Sequence, residues 1–295
     1  MAEALFERLC LIGPGLIGSS IARLAKERGD IARTLVVTAK TERTLERVRE
    51  LGFADVVEAD AARAVEGCDG VILCVPVGAY REVMVRIAPH LAPGCVLSDV
   101  GSTKGSVLRD LLPLLPAGVH LVPAHPMAGT EYSGPDAGFS TLFQGRWCIL
   151  TPPPGTDPDA IEKVSELWRR AGSQLERMDA ATHDRVVAIV SHLPHLIAFT
   201  ICSTADDLAQ ETPEGVFRFA ASGFRDFTRI AASDVAMWRD VFLNNREALL
   251  EMLARFTEDA AALGRAVRRG EVEFIEDRIE RGRKIRRSLI EMKQA

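Results

Sequence analysis

Two short strings of chemically reactive residues lie near the middle of the sequence, each directly after an apolar run. They read Ser98-Asp-Val-Gly-Ser-Thr-Lys104 and His125-Pro-Met-Ala-Gly-Thr-Glu131. An imidazole at the end of a strand can take a proton from a substrate hydroxyl while hydride leaves the same carbon. The hydroxyl of Ser102, next to a glycine, can fix that imidazole through a hydrogen bond. We therefore predict His125 as a catalytic base and Ser102 as its orienting partner.

A glycine-rich string, Gly13-Pro-Gly15-Leu-Ile-Gly18, follows the first apolar run and opens a helical pattern. In a dinucleotide site the first glycine permits a tight turn, the second lets the pyrophosphate approach, and the third lets helix and strand pack closely. The helix N-terminus offers free N–H groups to the phosphates. The sequence predicts a dinucleotide site formed by Gly13, Gly15, Leu16, Ile17, Gly18, Val75, Pro76 and Ser102.

The residues after the second apolar run, Val37-Thr-Ala-Lys-Thr-Glu-Arg43, bear on the choice of cofactor. Enzymes that use NAD usually carry an acid here, which binds the ribose hydroxyls. Thr38 or Ala39 takes that place, and two cations follow. We predict NADP in preference to NAD, with contacts from Ala39, Lys40, Thr41 and Arg43. The alternative is that Lys40 and Arg43 are solvated charges at the start of a helix.

The second half of the chain offers candidates for a substrate pocket. Ser191-His-Leu-Pro-His195 puts two imidazoles about one helical turn apart, but no carboxylate or cysteine completes a metal set, so we predict no metal. Asp226 and Arg229 share a helix face. Arg229 can clamp a substrate carboxylate with Asp226 orienting it. The alternative is a surface ion pair.

The elements that must position these residues follow two patterns. Short, almost continuously apolar runs alternate with helical patterns, which predicts a Rossmann-type, doubly wound parallel sheet. The runs are 9–12, 34–37, 56–57, 71–75, 96–97 and 119–122, with later strands near 147–150 and 175–178. After Asp179 the patterns are helical. We predict a dinucleotide-binding domain over residues 1–179 and an all-α substrate and dimerisation domain over residues 180–295.

Composition narrows the possible partners. The 295 residues carry a net charge of -5, so no basic field favours nucleic acid or an anionic membrane. The six cysteines are scattered and interpreted as reduced. We find no signal peptide and no apolar stretch that approaches a membrane span, and we predict a cytoplasmic protein.

Taken together, the strings resemble the prephenate/arogenate dehydrogenase family of tyrosine biosynthesis. The matching strings are G-P-G-L-I-G at Gly13, D-V-G-S-T-K at Asp99, H-P-M-A-G-T-E at His125, S-H-L-P-H at Ser191 and G-F-R-D-F-T-R-I at Gly223. The resemblance implies oxidative decarboxylation of a cyclohexadienol: His125 removes the hydroxyl proton, the nicotinamide takes hydride, and the ring carboxylate leaves as carbon dioxide. It also implies that Ser102 orients His125, that Arg229 binds the ring carboxylate, and that Thr130, His192, His195 and Trp238 line the pocket.

The resemblance further implies a homodimer formed through the helical domains. The thin apolar stripe of the last segment, residues 271–292, fits that expectation. Tyrosine feedback, if present, would act at the active site itself. The missing acid after the second strand departs from the NAD pattern of the family.

Two alternatives remain open at this point. A β-hydroxyacid dehydrogenase or imine reductase shares the domain order, but the former typically uses a lysine in the helical domain, and Val186 to Phe199 contains none. A non-catalytic NADP-binding sensor would have no reason to keep a base and a carboxylate clamp. The choice between prephenate and arogenate also stays open, with Glu131 and Asp136 as candidates to recognise an amine.

Overall fold

The computed structural model describes residues 3–130, 132–211 and 216–292. Glu131, one of the two candidates for amine recognition, therefore lies outside the described residues.

Eight strands form one sheet in the order β3-β2-β1-β4-β5-β6-β7-β8. Their bounds are β1 Phe6–Ile12, β2 Ala32–Thr38, β3 Val56–Glu58, β4 Gly70–Leu73, β5 Val96–Asp99, β6 His120–Pro126, β7 Trp147–Leu150 and β8 Gln174–Arg177. Strands β1 to β6 are parallel, as predicted. In contrast, β7 runs antiparallel to β6. A parallel return needs a crossover element, whereas the described residues between β6 and β7 form only turns and loops.

The helices are α1 Leu16–Arg28, α2 Glu42–Leu51, α3 Ala61–Ala64, α4 Tyr80–Ile87, α5 Gly105–Leu111, α6 Pro158–Arg170, α7 Ala180–Val187, α8 Leu193–Glu211, α9 Ser222–Thr228, α10 Val235–Asn244, α11 Arg246–Arg269 and α12 Val272–Glu291. Two separate apolar clusters cover the sheet. Ile21 of α1 and Trp168 of α6 belong to one, and Met84 of α4 and Leu111 of α5 belong to the other. The sheet is thus covered on both faces, which confirms the Rossmann-type fold followed by helices.

Helix α10 begins after Asp234 and is interrupted at Asn245. Asp234 caps α10 by accepting a hydrogen bond from Met237 N at 2.7 Å. Apolar residues from Trp238 to Leu263 recur at helical spacing, but α10 ends at Asn244, and Asn245 leaves the helical conformation at φ -114° and ψ 33°. Asn245 is 4% exposed, and its amide bonds to a main-chain carbonyl of α7. Tertiary hydrogen bonding therefore overrides the helical pattern at this residue.

Two compact units divide the chain, one up to Arg246 and one from Glu247 onward. Helices α7 to α10 therefore belong to the unit that contains the sheet, and the boundary predicted after residue 179 stays a prediction. In the second unit no residue of α12 is buried, and Val272, Ile279, Ile285 and Met292 of its predicted stripe are all more than half exposed.

The expectation that no apolar stretch approaches a membrane span was wrong in terms of length and composition. Residues Ala180–Glu211 form 32 residues of continuous helix, with a mean hydropathy of 1.8 over an 18-residue window. The same segment carries His183, Asp184 and His192, which are all buried and bonded to other side chains of the first unit. We interpret it as a helix packed partly into that unit.

A buried ion pair lies below the carboxyl edge of the sheet. Lys104 and Asp99 are both 0% exposed, and Lys104 Nζ lies 2.6 Å from Asp99 Oδ2 and 2.6 Å from the carbonyl oxygen of Ala124. Asp99 Oδ2 also accepts hydrogen bonds from Tyr80 Oη at 3.1 Å and Gly101 N at 2.7 Å. Burial lowers the pKa of Lys104, and Asp99 opposes that effect. The pair ties the loop after β5 to β6.

We predict that Lys104→Met destabilises the protein by about 3–5 kcal/mol, because Asp99 would stay buried without its cation. The matched control is Lys26→Met, which removes an exposed pair with Asp55 at 3.3 Å and should cost less than about 1 kcal/mol. Chemical denaturation of both variants measures the difference. Equal losses would contradict the assignment of a structural role to the buried pair.

Candidate active site

The glycine loop after β1 has the shape that a dinucleotide pyrophosphate needs. Gly13 has φ of 96°, and an added Cβ would lie 2.7 Å from Val75 Cγ1. A Cβ on Gly18 would collide with the carbonyl oxygen of Gly13, whereas a Cβ on Gly15 would meet nothing within 4 Å. No side chain caps the start of α1, where Leu16 and Ile17 lie. The loop thus leaves open space beside Gly15 and free N–H groups, which fits a phosphate group.

The end of β2 shows no carboxylate free to bind a ribose. Thr38 is 1% exposed, and Glu42, the nearest acid that follows, pairs with Arg49 at 2.6 Å. Thr41 accepts a hydrogen bond from Thr44 N and caps α2. Lys40 and Arg43 are exposed, and neither makes an ion pair or hydrogen bond within the part of the chain that the structure describes. Two cations are therefore available at this edge.

His125, at the end of β6, is the first member of a buried chain of hydrogen bonds. Its Nδ1 lies 2.8 Å from Nε2 of His183 on α7. His183 Nδ1 in turn lies 2.8 Å from Asp184 Oδ1. His125 and His183 are 7% and 0% exposed. Sequence reasoning expected Ser102 to hold His125, but among the described residues His125 is bonded to His183, and no hydrogen bond joins it to Ser102.

The chain of hydrogen bonds fixes where each proton lies. A carboxylate can only accept, so His183 Nδ1 carries a proton and His183 Nε2 offers a lone pair. That lone pair accepts from Nδ1–H of His125, which leaves the lone pair of His125 on Nε2. The arrangement therefore presents His125 as a proton acceptor, oriented in the way that a carboxylate orients an imidazole in a catalytic triad.

Asp184 also receives two main-chain hydrogen bonds from the start of α5. Lys104 N and Gly105 N donate to its two carboxylate oxygens, both at 2.8 Å. An added Cβ on Gly105 would lie 2.9 Å from Asp184 Oδ2, so the close approach requires glycine. Burial alone raises the pKa of Asp184, but the hydrogen bonds from His183, Lys104 and Gly105 bring that pKa below its usual value. Asp184 is thus held as a carboxylate.

A second buried imidazole belongs to His192, in a π-helical turn between α7 and α8. Its Nδ1 lies 3.0 Å from Nδ2 of Asn245, and the same Nδ2 donates to the main-chain oxygen of Asp184 at 2.8 Å. His192 Nε2 is buried, and no side chain among the described residues bonds to it. Burial lowers the pKa of His192 to about 4, while the charge of Asp184 and a hydrogen bond with the main chain of Ser102 act to raise it.

Of the other predicted pocket residues, His195 and Trp238 are in contact with each other, whereas Thr130 is exposed. His195 stacks on Trp238 with ring centroids 3.6 Å apart, and its Nδ1 bonds to Ser191 O at 2.9 Å. Burial lowers the pKa of His195, and the charge of Arg229 lowers it further, which places Arg229 near this stack. Thr130 is exposed, and its Oγ1 accepts from Tyr132 N at 3.3 Å.

The predicted pairing of Asp226 with Arg229 does not form. The two residues were expected to share one helix face, but α9 ends at Thr228 and Arg229 begins a short 3-10 helix. Both side chains are exposed, and no ion pair joins them within the described ranges. Asp136, the second candidate for amine recognition, is bound by Arg47 at 2.5 Å.

Sequence reasoning missed three residues that hold the imidazoles, His183, Asp184 and Asn245. The only signal for the first two is that His183 and Asp184 are adjacent polar residues in the first turns of the helix capped by Asp179. Asn245 gave no signal, since it lies inside an unbroken helical pattern.

Comparisons with known proteins identify the family of this chain. The chain matches the family models for the prephenate dehydrogenase nucleotide-binding domain over residues 21–177 and the prephenate dehydrogenase dimerization domain over residues 179–280. It is 39% identical over 271 residues to a cyclohexadienyl dehydrogenase of Zymomonas mobilis, covering 92% of each chain. It is 34% identical to a prephenate dehydrogenase of Bacillus subtilis, covering 85% of this chain and 67% of that one.

A solved structure supports the same assignment. Prephenate dehydrogenase of Aquifex aeolicus, in complex with hydroxyphenyl propionate and NAD+, superposes with a TM-score of 0.87 at 32% identity, covering 96% of this chain and 98% of that one. The glycine loop, the sheet and the oriented imidazole define a nucleotide-binding oxidoreductase. Within that class, the chain belongs to the prephenate dehydrogenase family.

The buried imidazoles make stability depend on pH. Burial lowers the pKa of His125, His183 and His192 below the ordinary value of a histidine. Below about pH 6.5 the unfolded chain therefore binds more protons than the folded chain does. We predict that the free energy of unfolding decreases from pH 7 to pH 5. In His192→Gln the slope should be smaller by up to about 1.4 kcal/mol per pH unit. Urea titrations at each pH measure both slopes, and identical slopes would contradict a neutral, buried His192.

Proposed function

We propose that this chain catalyses the oxidative decarboxylation of prephenate, arogenate or both, with NADP or NAD as hydride acceptor. The observation that carries the proposal is the imidazole of His125, held by His183 and Asp184 so that its free lone pair is on Nε2. The names of the similar proteins support the substrate class. The glycine loop at Gly15 supports a dinucleotide partner.

In this reaction His125 Nε2 accepts the proton of the ring hydroxyl. The bound nicotinamide supplies the hydride acceptor for the carbon that carries this hydroxyl. The ring carboxylate leaves as carbon dioxide, and its bonding electrons complete the aromatic ring. The imidazolium formed at His125 donates through Nδ1 to His183, and the Asp184 carboxylate stabilises the new charge across the relay. Aromatisation makes the step effectively irreversible, so orientation and charge placement are the main tasks of the protein.

Other residues are proposed to bind and orient. Arg229 binds the ring carboxylate, and Ser102 contacts the cofactor and the reacting centre from the loop after β5. Ser191, His192, His195 and Trp238 line the substrate pocket, with Thr130 and Asp226 at its margin. The effect of Arg229 on the pKa of His195 supports a shared pocket. Tyrosine, which resembles the product, would inhibit by occupying the same site.

We also propose a cytoplasmic homodimer with a domain boundary near residue 179. The two family models meet at residues 177 and 179, which supports the boundary, and the second model describes a dimerization domain. The exposed apolar stripe of α12 supports a partner for that helix.

The decisive test is steady-state turnover of prephenate and of arogenate, each with NADP and with NAD. We expect turnover with at least one substrate and a higher kcat/KM with NADP, because Lys40 and Arg43 are free cations where the 2′-phosphate would lie. No turnover in any combination by a folded protein that binds NADP would contradict the proposed reaction. A tenfold higher kcat/KM with NAD would contradict the cofactor preference.

Substitutions on and next to α2 test the predicted preference for NADP and include a matched control. Lys40→Ala and Arg43→Ala remove the free cations, whereas Arg49→Ala removes a cation of the same helix that is already paired with Glu42. The first two should raise KM for NADP roughly tenfold, the expected cost of a lost charged hydrogen bond, and leave KM for NAD unchanged. Arg49→Ala should change neither.

The relay predicts a difference between two substitutions of His183. In His183→Leu the orienting bond to His125 is lost, and kcat should fall about 100-fold with KM nearly constant. In His183→Gln the amide oxygen can accept from His125 and the amide N–H can donate to Asp184, so we expect a loss of less than about tenfold. Wild-type kcat in His183→Leu, or equal losses in both variants, would contradict the orienting role.

A further inference from the structure

The loop between β6 and β7 packs closely against helix α1. Gly138 of this loop lies on the helix, because an added Cβ would collide with Ser19 Oγ and would lie 2.7 Å from the main-chain nitrogen of Ser20. Main-chain atoms inside a helix cannot rotate aside as the end of a side chain can, so this approach requires a glycine. The close packing therefore fixes where the loop crosses α1.

The hydroxyl group of Ser20 joins the loop to α1 at this crossing. Ser20 is 0% exposed, and its Oγ accepts a hydrogen bond from Phe139 N at 3.1 Å. The same Oγ donates to Leu16 O at 2.7 Å. A hydroxyl carries one proton and two lone pairs, so it can make both bonds at the same time. The bond to Leu16 uses the proton, which leaves a lone pair for the main chain of the loop.

Two further contacts join the loop to α1 and α2, but both are weaker. Arg23 Nη2 donates to Pro135 O at a longer distance of 3.3 Å. Arg47 pairs with Asp136, but the two side chains are 43% and 59% exposed, and solvent weakens such a pair. A part-buried main-chain N–H that loses its acceptor is more costly. We therefore assign the attachment of the loop mainly to Ser20.

The attached part of the loop forms one wall of a cavity of about 280 Å³. Phe139 lines this cavity, and so do residues 127–130, which directly follow the strand that carries His125. A movement of Phe139 away from α1 therefore changes the surroundings of Thr130, which is proposed to lie at the margin of the substrate pocket. The opposite partner in the contact, α1, is the helix whose first N–H groups are free for a dinucleotide.

Resting on the proposed function, we infer that Ser20 is a positioning residue that attaches the loop after His125 to the helix that receives the cofactor phosphates. The attachment holds the substrate side and the cofactor side of the site at a fixed separation. Hydride transfer needs its two carbon atoms within about 3–3.5 Å, so a loosened loop reduces the fraction of substrate that is correctly placed. Cofactor binding itself does not depend on this bond, because the N-terminus of α1 is unchanged.

The attachment can be tested without substrate by amide hydrogen exchange in Ser20→Ala. The matched control is Ser19→Ala, because Ser19 is also 0% exposed but its Oγ bonds only to Gly15 O and Leu16 O among the described residues. Peptides covering residues 132–146 should exchange about tenfold faster in Ser20→Ala and at the wild-type rate in Ser19→Ala. Equal exchange in the two variants would overturn the inference. This result is independent of which reaction the enzyme catalyses.

The functional arm compares turnover with cofactor binding. In Ser20→Ala we expect kcat/KM for the substrate, at saturating cofactor, to fall about tenfold or more, while Kd for the cofactor changes less than about twofold. A purely structural loss would lower both or neither. Gly138→Ala, which forces the loop off α1 by a different route, should change the two readouts in the same direction. Faster loop exchange with wild-type kcat/KM would overturn the positioning role, whereas a wild-type chain without turnover would contradict the proposed reaction instead.

Discussion

The organisation of the site depends on the four hydrogen bonds of Asp184. Its carboxylate accepts from His183 and from the main-chain N–H groups of Lys104 and Gly105, and its main-chain oxygen accepts from Asn245. These main-chain donors are held in place by the backbone at the start of α5. They therefore hold the Asp184 carboxylate in place, and no donor side chain loses conformational freedom in doing so. The orientation of His183, and through it that of His125, therefore depends on the position of the Asp184 carboxylate.

Burial gives these contacts their strength and sets the protonation states. In a low dielectric a hydrogen bond is stronger, but an unpaired charge is costly. The site meets both conditions by keeping its imidazoles neutral and its two carboxylates, Asp99 and Asp184, fully bonded. Lys104 contributes in two ways, because it neutralises Asp99 and its charge also lowers the pKa of His125 and His183. A neutral His125 is the form that can accept a proton.

The sequence alone was enough to predict the strands, the glycine loop and the base His125, but not the residues that orient His125. Continuous apolar runs and the glycine string follow from local chemistry, so the eight strands and the position of the loop at Gly13 could be predicted. His125 could be predicted because it ends a strand. Its partner could not, because His183 lies 58 residues away and meets His125 only through tertiary packing. Ser102, the local candidate, is closer in sequence, but no hydrogen bond joins it to His125 among the described residues.

The role of Asn245 could not be predicted from the sequence either. The apolar pattern around it is helical on both sides, and asparagine disfavours a helix only weakly. The break between α10 and α11 therefore comes from the bonds of its amide to Asp184 and His192, which a regular helix at this point would not provide. It follows that the sheet and helices α7 to α10 cannot complete the site separately. The base belongs to a strand and its orienting groups belong to helices, so the catalytic geometry exists only when these elements are folded together.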